Sequence, residues 1–153
     1  MHRIKIQKKP INKKIKNAKK YIYNNMEFKS GLEVYAYKQF LLAGFDVVYE
    51  PTKFIIVDGF SPHRLFYNSG RKNKVLKLQS ANVQNTTYTP DFIIKYKNYT
   101  IIIETKGFEN DVFPLKKKLF RKLLENNIYE NYMYMEVKNQ NNITEAIKII
   151  NDL

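Results

Sequence analysis

Thr87-Tyr88-Thr89-Pro90-Asp91-Phe92-Ile93-Ile94-Lys95-Tyr96-Lys97-Asn98-Tyr99-Thr100-Ile101-Ile102-Ile103-Glu104-Thr105-Lys106-Gly107 is the stretch on which the fold of this chain turns. Two runs rich in β-branched and aromatic residues, 92–96 and 99–105, are separated only by Lys97-Asn98, which predicts a tight antiparallel hairpin. With that pair as the turn, Tyr96 faces Tyr99, Ile94 faces Ile101 and Asp91 faces Glu104. Directly opposed side chains hold their Cβ atoms about 4.5–5.5 Å apart, and like charges there destabilise a sheet. A hard divalent cation with oxygen ligands is the natural compensation. Side chains alternate along a strand, so Glu104 and Lys106 share one face while Ile103 and Thr105 take the other. A cation between Asp91 and Glu104 with an ammonium group one step along is equipment for phosphodiester hydrolysis. The ion neutralises phosphate oxygens and acidifies water, and the lysine orients the water or stabilises developing charge. Gly107 lets the chain turn away and a phosphate approach the backbone. The plain alternative makes Asp91 a strand start after Pro90 and Glu104 to Lys106 a solvated strand face. The register and the charge of the whole chain weigh against it.

Working outward, Ser30-Gly31-Leu32-Glu33 reads as a capping box opening a helix, with Leu32, Tyr35, Ala36, Phe40 and Ala43 at helical spacing and Gly44 as its stop. Residues 45–50 and 53–57 read as strands on either side of Pro51. Residues 58–86 are punctuated by Gly59, Pro62 and Gly70 and predict a peripheral insertion, with a hairpin formed from 63–67 and 75–79. Residues 114–126 predict a basic amphipathic helix with Leu115, Leu119, Leu123 and Leu124 on its apolar side. A strand at 132–137 and a closing helix at 143–150 complete the order. That order predicts an α/β architecture, a central mixed sheet flanked by helices.

The 153 residues carry a formal charge of +13. A surface this basic attracts polyanions, nucleic acid foremost, with anionic lipid as the alternative. Arg3, Lys5, Lys8, Lys9, Lys13, Lys14, Lys16, Lys19 and Lys20 precede the first acidic residue, Glu27. Residues 1–26 therefore read as a basic arm for the DNA backbone, or else as a solvated tail, ahead of a single folded domain over 27–153. Lys116, Lys117 and Arg121 extend the expected DNA contacts. The absence of Cys excludes disulfides and thiolate zinc sites and is compatible with a cytoplasmic location. No apolar run approaches the roughly 20 residues a membrane span needs, and no secretory signal is legible. His2 and His63 are the only histidines, too few for a histidine-metal nuclease, and no P-loop is present.

Three segments together, Phe28-Lys29-Ser30-Gly31-Leu32-Glu33, Thr87-Tyr88-Thr89-Pro90-Asp91-Phe92 and Glu104-Thr105-Lys106-Gly107, resemble the PD-(D/E)xK nuclease superfamily. Within it they are most similar to the phage endonuclease I family of Holliday-junction resolvases, over about residues 28–125. The resemblance implies a restriction-endonuclease-like core and Mg2+-dependent DNA cleavage, with Mn2+ as a substitute. It implies Asp91 as the central metal ligand, Glu104 as its partner, the Thr105 carbonyl as a further ligand and Lys106 as the catalytic lysine. Glu33 would complete the acidic cluster, a role compatible with capping. Branched DNA and a homodimer cutting two strands symmetrically are implied as well. The stretch between Glu33 and Asp91 is longer than in that family, with 58–86 as the surplus. A duplex-cutting or nicking relative, and a DNA-binding protein with a non-catalytic nuclease-like fold, are the competing expectations.

Overall fold

Ile101, Ile102 and Ile103 are fully buried, and the rest of the molecule is arranged around them. The computed structural model describes residues 20–51, 53–69, 75–107 and 111–153. In chain order its elements are β1 (Tyr21–Tyr23), β2 (Met26–Phe28), α1 (Gly31–Leu42), β3 (Asp46–Tyr49), β4 (Phe54–Val57), β5 (Tyr67–Ser69) and β6 (Leu76–Leu78). There follow β7 (Thr86–Tyr88), β8 (Phe92–Tyr96), β9 (Tyr99–Thr105), α2 (Phe113–Leu124), a 3-10 turn at Asn127–Tyr129, β10 (Tyr132–Val137) and α3 (Gln140–Asn151).

The Lys97-Asn98 turn sets the expected register, with Tyr96 opposite Tyr99 and Ile94 opposite Ile101. Lys97 takes a φ of 52°, a left-handed conformation that a two-residue turn between right-twisted strands demands. β9 pairs in parallel with β10 on its other side, and β3 pairs antiparallel with β8, giving a four-stranded mixed sheet in the order β10-β9-β8-β3. Both faces of this sheet are covered, so the central strand reads as a continuous apolar run. On one face α1 and α3 pack Ala36, Phe40, Ile143 and Ile150 onto Phe92, Ile94, Ile101 and Ile103. On the other, Phe113 and Phe120 of α2 meet Ile102 and Tyr88, with Phe54 and Ile56 of β4 beside them. The chain is thus a mixed α/β protein with a central mixed sheet and, among the described residues, three α-helices.

α1 ends as expected, in a Schellman arrangement: Gly44, at φ 81°, donates to Leu41 O, and Phe45 donates to Phe40 O. Three expectations are corrected. The folded part begins before Phe28, because β1 and β2 form a hairpin over residues that composition assigned to the basic arm; Lys20 at its edge pairs with Glu27 at 2.8 Å. The rest of the arm, including Lys8, Lys9, Lys13, Lys14, Lys16 and Lys19, lies outside the described residues. In α2 the buried anchors are Phe113 and Phe120, two helical turns apart, while Leu115 is 61% exposed because it falls on the opposite side. The same geometry turns Lys116 and Lys117 toward the sheet. Their amines reach Thr87 O (3.0 Å) and Glu136 (2.8 Å), so of the three α2 residues expected to meet DNA only Arg121 is exposed.

The insertion forms a lobe. Its β5–β6 hairpin uses Tyr67 and Leu76–Leu78 and is exposed throughout. The strand β7, not legible as such in the sequence, pairs with β4 and anchors the lobe to the α2 face. The neck is closed by the Phe60–Val83 bridge and by Gly59 N donating to Asn85 Oδ1 at 2.6 Å. A Cβ at Gly59 would sit 2.4 Å from the Val83 carbonyl, so this close approach requires glycine. Since the lobe buries little apolar surface beyond its neck, replacing 62–81 by a short Gly/Asn turn is expected to shift Tm by no more than about 4 °C. Differential scanning calorimetry checks this; loss of the cooperative transition would show that the lobe belongs to the core.

Candidate active site

The β8–β9 ladder ends at Phe92–Ile103, one pair short of Asp91 and Glu104. Asp91 lies in a bend after the fully buried Pro90, and its carboxylate hooks onto the end of β9. Asp91 Oδ2 accepts from the Thr105 amide at 2.7 Å and from the Thr105 hydroxyl at 2.6 Å. This replaces the expected direct opposition of the two carboxylates, because the amide at the strand end needs an acceptor and Asp91 supplies it. The pair is still electrostatically close. Burial, and then the charge of Glu104, push the Asp91 carboxyl up to about 7, against the lowering effect of the two Thr105 hydrogen bonds, with Glu33 adding to the rise.

Glu104 is 4% exposed. Its Oε2 accepts from the Tyr88 hydroxyl at 2.6 Å, and its Oε1 pairs with Lys106 Nζ at 3.0 Å. Lys106 is held from the other side by Phe113, whose ring centroid is 4.0 Å from Nζ. A cavity of about 330 Å³ opens beside them, lined by Thr87, Glu104, Lys106, Phe113 and Lys116 among others. Two ammonium groups on its wall suit an anion. Next along the sheet, Glu136 of β10 stands in register with Glu104 and is neutralised by Lys117 and by Lys138, 3.0 Å away. Those two lysines hold the Glu136 carboxyl below its ordinary range despite burial, which acts in the opposite direction.

Glu33 reaches the same neighbourhood from the start of α1. Ser30 Oγ accepts from the Glu33 amide at 3.2 Å, the first half of the expected capping box. The second half differs: the Glu33 carboxylate passes over Ser30 and accepts from the Lys29 amide at 2.9 Å and the Tyr49 hydroxyl at 2.6 Å. Both bonds fall on Oε2 of a side chain only 6% exposed. Burial first, and then the hydrogen bond to Glu33, raise the Tyr49 phenol far above its ordinary value. The Lys29 ammonium pairs with Glu50, and that pairing, with contributions from Asp91 and Glu33, raises its pKa. Glu50 takes a φ of 44° and donates its amide to the Asp91 carbonyl at 2.8 Å.

The structure therefore brings Glu33, Asp91, Glu104, Thr105 and Lys106 to one end of the sheet. Lys29, Tyr49, Glu50 and Tyr88 belong to the same end and were not singled out by sequence reasoning. Lys29 and Tyr88 lie inside the quoted motif segments, whereas nothing in the sequence pointed to Tyr49 or Glu50. Among the described residues, no three acidic or histidine side chains are gathered closely enough to hold a metal by themselves. Among them, too, no helix is long and apolar enough to cross a membrane. No family model, curated protein or solved structure matches the chain.

Proposed function

We propose that this chain is a divalent-metal-dependent endodeoxyribonuclease of the PD-(D/E)xK type, built on a restriction-endonuclease-like core and acting as a homodimer on branched DNA such as Holliday junctions. The observation that carries the reading is the close pair of half-buried Asp91 and buried Glu104, with Lys106 against Glu104: Asp91 is pushed up to about 7 by desolvation and by Glu104. Two like charges kept at a sheet end are a cost to the fold unless a cation or a proton offsets them.

The donor set fits a hard cation. Mg2+ is commonly bound through one or two carboxylates together with phosphate oxygens and water, so a preformed cage is not required. Both hydrogen bonds to Asp91 fall on Oδ2, and both to the Glu33 carboxylate fall on Oε2, leaving Oδ1 and Oε1 without hydrogen bonds among the described residues. Asp91, Glu104 and the Thr105 carbonyl would hold Mg2+, or Mn2+ in its place, with Glu33 completing the acidic set. Such an ion supplies charge neutralisation at the phosphate and acidifies water. Lys106, steadied between Glu104 and Phe113, would orient the attacking water and meet the charge developing on the phosphate oxygens. The net charge of +13 draws the DNA, with Arg121 and the N-terminal lysines, Lys20 among them, contributing phosphate contacts. Lys116 and Lys117 contribute through the wall of the site rather than as free surface charges.

The test is a cleavage assay on four-way junction, linear duplex and single-stranded DNA, each with Mg2+ or EDTA. Symmetric nicking of the junction, dependent on Mg2+, is expected. Uniform duplex cutting would replace the branched substrate with an ordinary one, and tight binding without cutting would make the chain a DNA-binding module.

A further inference from the structure

We infer that Tyr88 is a positioning residue of the site, a buried hydroxyl that fixes the Glu104 carboxylate so that it meets a divalent cation. The inference rests on the metal-dependent reading above and adds to it a residue that touches neither DNA nor the reacting atoms.

The geometry is specific. Tyr88 is 4% exposed and belongs to β7, a strand anchored on the far side of the site by its pairing with Phe54 of β4. Its ring lies against Phe120 of α2 with centroids 4.4 Å apart, so the side chain has no freedom to swing. From that fixed ring the hydroxyl donates to Glu104 Oε2 at 2.6 Å, the short distance of a charge-assisted bond. Glu104 Oε1 faces Lys106 at 3.0 Å. One carboxylate oxygen is thus tied to a rigid aromatic platform, and the orientation of the other follows from it. Tyr134 lies close behind, with its hydroxyl beside that of Tyr88, and it is Tyr88 that donates to Glu104. Tyr49 and Glu33 repeat the device at 2.6 Å, on a different strand and helix.

Groups that orient a metal ligand typically contribute 10–100-fold to metal affinity or activity. For Tyr88→Phe, which keeps the ring and removes the donor, the half-saturating Mg2+ for junction cleavage is expected to rise roughly 10–100-fold. The KM for DNA should stay within about twofold, and kcat should recover at saturating Mg2+. Calcium binding measured by calorimetry without DNA should weaken by the same factor. Unchanged Mg2+ dependence, or a loss of kcat that added Mg2+ does not restore, would overturn the proposal. A second measurement needs no variant. The Tyr88 hydroxyl proton, shielded and bonded to Glu104, should give a slowly exchanging resonance that shifts when Ca2+ is added; a resonance indifferent to Ca2+ overturns the proposal equally. The two levels of inference separate in the wild type. Absence of Ca2+ binding there removes both the proposal and the reading beneath it, whereas wild-type binding with unaltered binding in Tyr88→Phe removes the proposal alone.

Discussion

Exchanging Glu104 for Gln is expected to slow Mg2+-dependent cleavage by roughly a thousandfold or more while leaving the fold and DNA binding in place. The substitution conserves volume, and the amide oxygen of Gln can still accept from the Tyr88 hydroxyl, so the Tyr88 side keeps its packing while the Gln NH2 leaves the Lys106 amine without its acceptor. What is lost is one negative charge, the charge that pairs with Lys106 and that a divalent ion would use. Binding should hold or tighten, because the site sheds a group that repels phosphate while the +13 background is untouched. Single-turnover rates on a junction, beside binding measured in Ca2+, check both halves. Near wild-type cleavage by the Gln variant would remove Glu104 from the chemistry, and the proposed site with it.

The second large effect has the opposite sign for the fold. In metal-free buffer at pH 8, Asp91→Asn is expected to stabilise the protein by up to about 3–4 kcal/mol, on the order of 10 °C in Tm. Burial and the charge of Glu104 push the Asp91 carboxyl up to about 7. The folded protein therefore keeps a proton that the unfolded chain has already released in the ordinary carboxylate range. Stability must fall as pH rises from that range to about 7, and the full deficit is present above it. Asn carries no charge at any pH and still offers an oxygen to the Thr105 amide and hydroxyl, so its stability should lack this descent. The gap between variant and wild type should close as pH falls toward 4, and Mg2+ should narrow it at pH 8 by stabilising the wild type alone. Melting curves from pH 4 to 8.5, with and without Mg2+, decide the matter; parallel curves at every pH would mean that Asp91 carries no such strain. A residue that weakens the fold in return for the proposed metal-binding role would be a familiar trade-off of functional sites.

How much of this was legible depended on whether the information was local. The β8–β9 hairpin followed from two residues of turn and two apolar runs, and its register was right up to Phe92–Ile103. The last step failed because a free amide at the end of β9 competes for the Asp91 carboxylate, and no strand-pairing rule contains that competitor. Ser30 as a cap was local and held; the partner of the Glu33 carboxylate was not local, since Tyr49 arrives from β3. The α2 stripe was misassigned because leucines outnumber phenylalanines there, although the seven-residue spacing of Phe113 and Phe120 was available to be read. β1 and β2 were hidden by composition: a run of lysines dominated the window, and the Asn24-Asn25 turn, with φ of 49° and 60°, sat at its end. β4 with β7 required pairing across the whole insertion, which a single sequence does not encode in any short pattern.

The Lys97-Asn98 turn has a consequence for the order of events in folding. A hairpin closed by so short a loop pays little chain entropy and forms on a microsecond scale, whereas the parallel β9–β10 pairing and the docking of α1 must close much longer loops. This order predicts that Asp91 and Glu104, at the open end of the hairpin, come together early, before the surfaces that later bury them have arrived. Their repulsion then acts on the barrier as well as on the finished protein. A divalent cation present during refolding should raise the refolding limb of a chevron, without changing its slope, and leave the unfolding limb nearly in place. If only the unfolding limb responds, the two carboxylates meet late, after the barrier has been crossed.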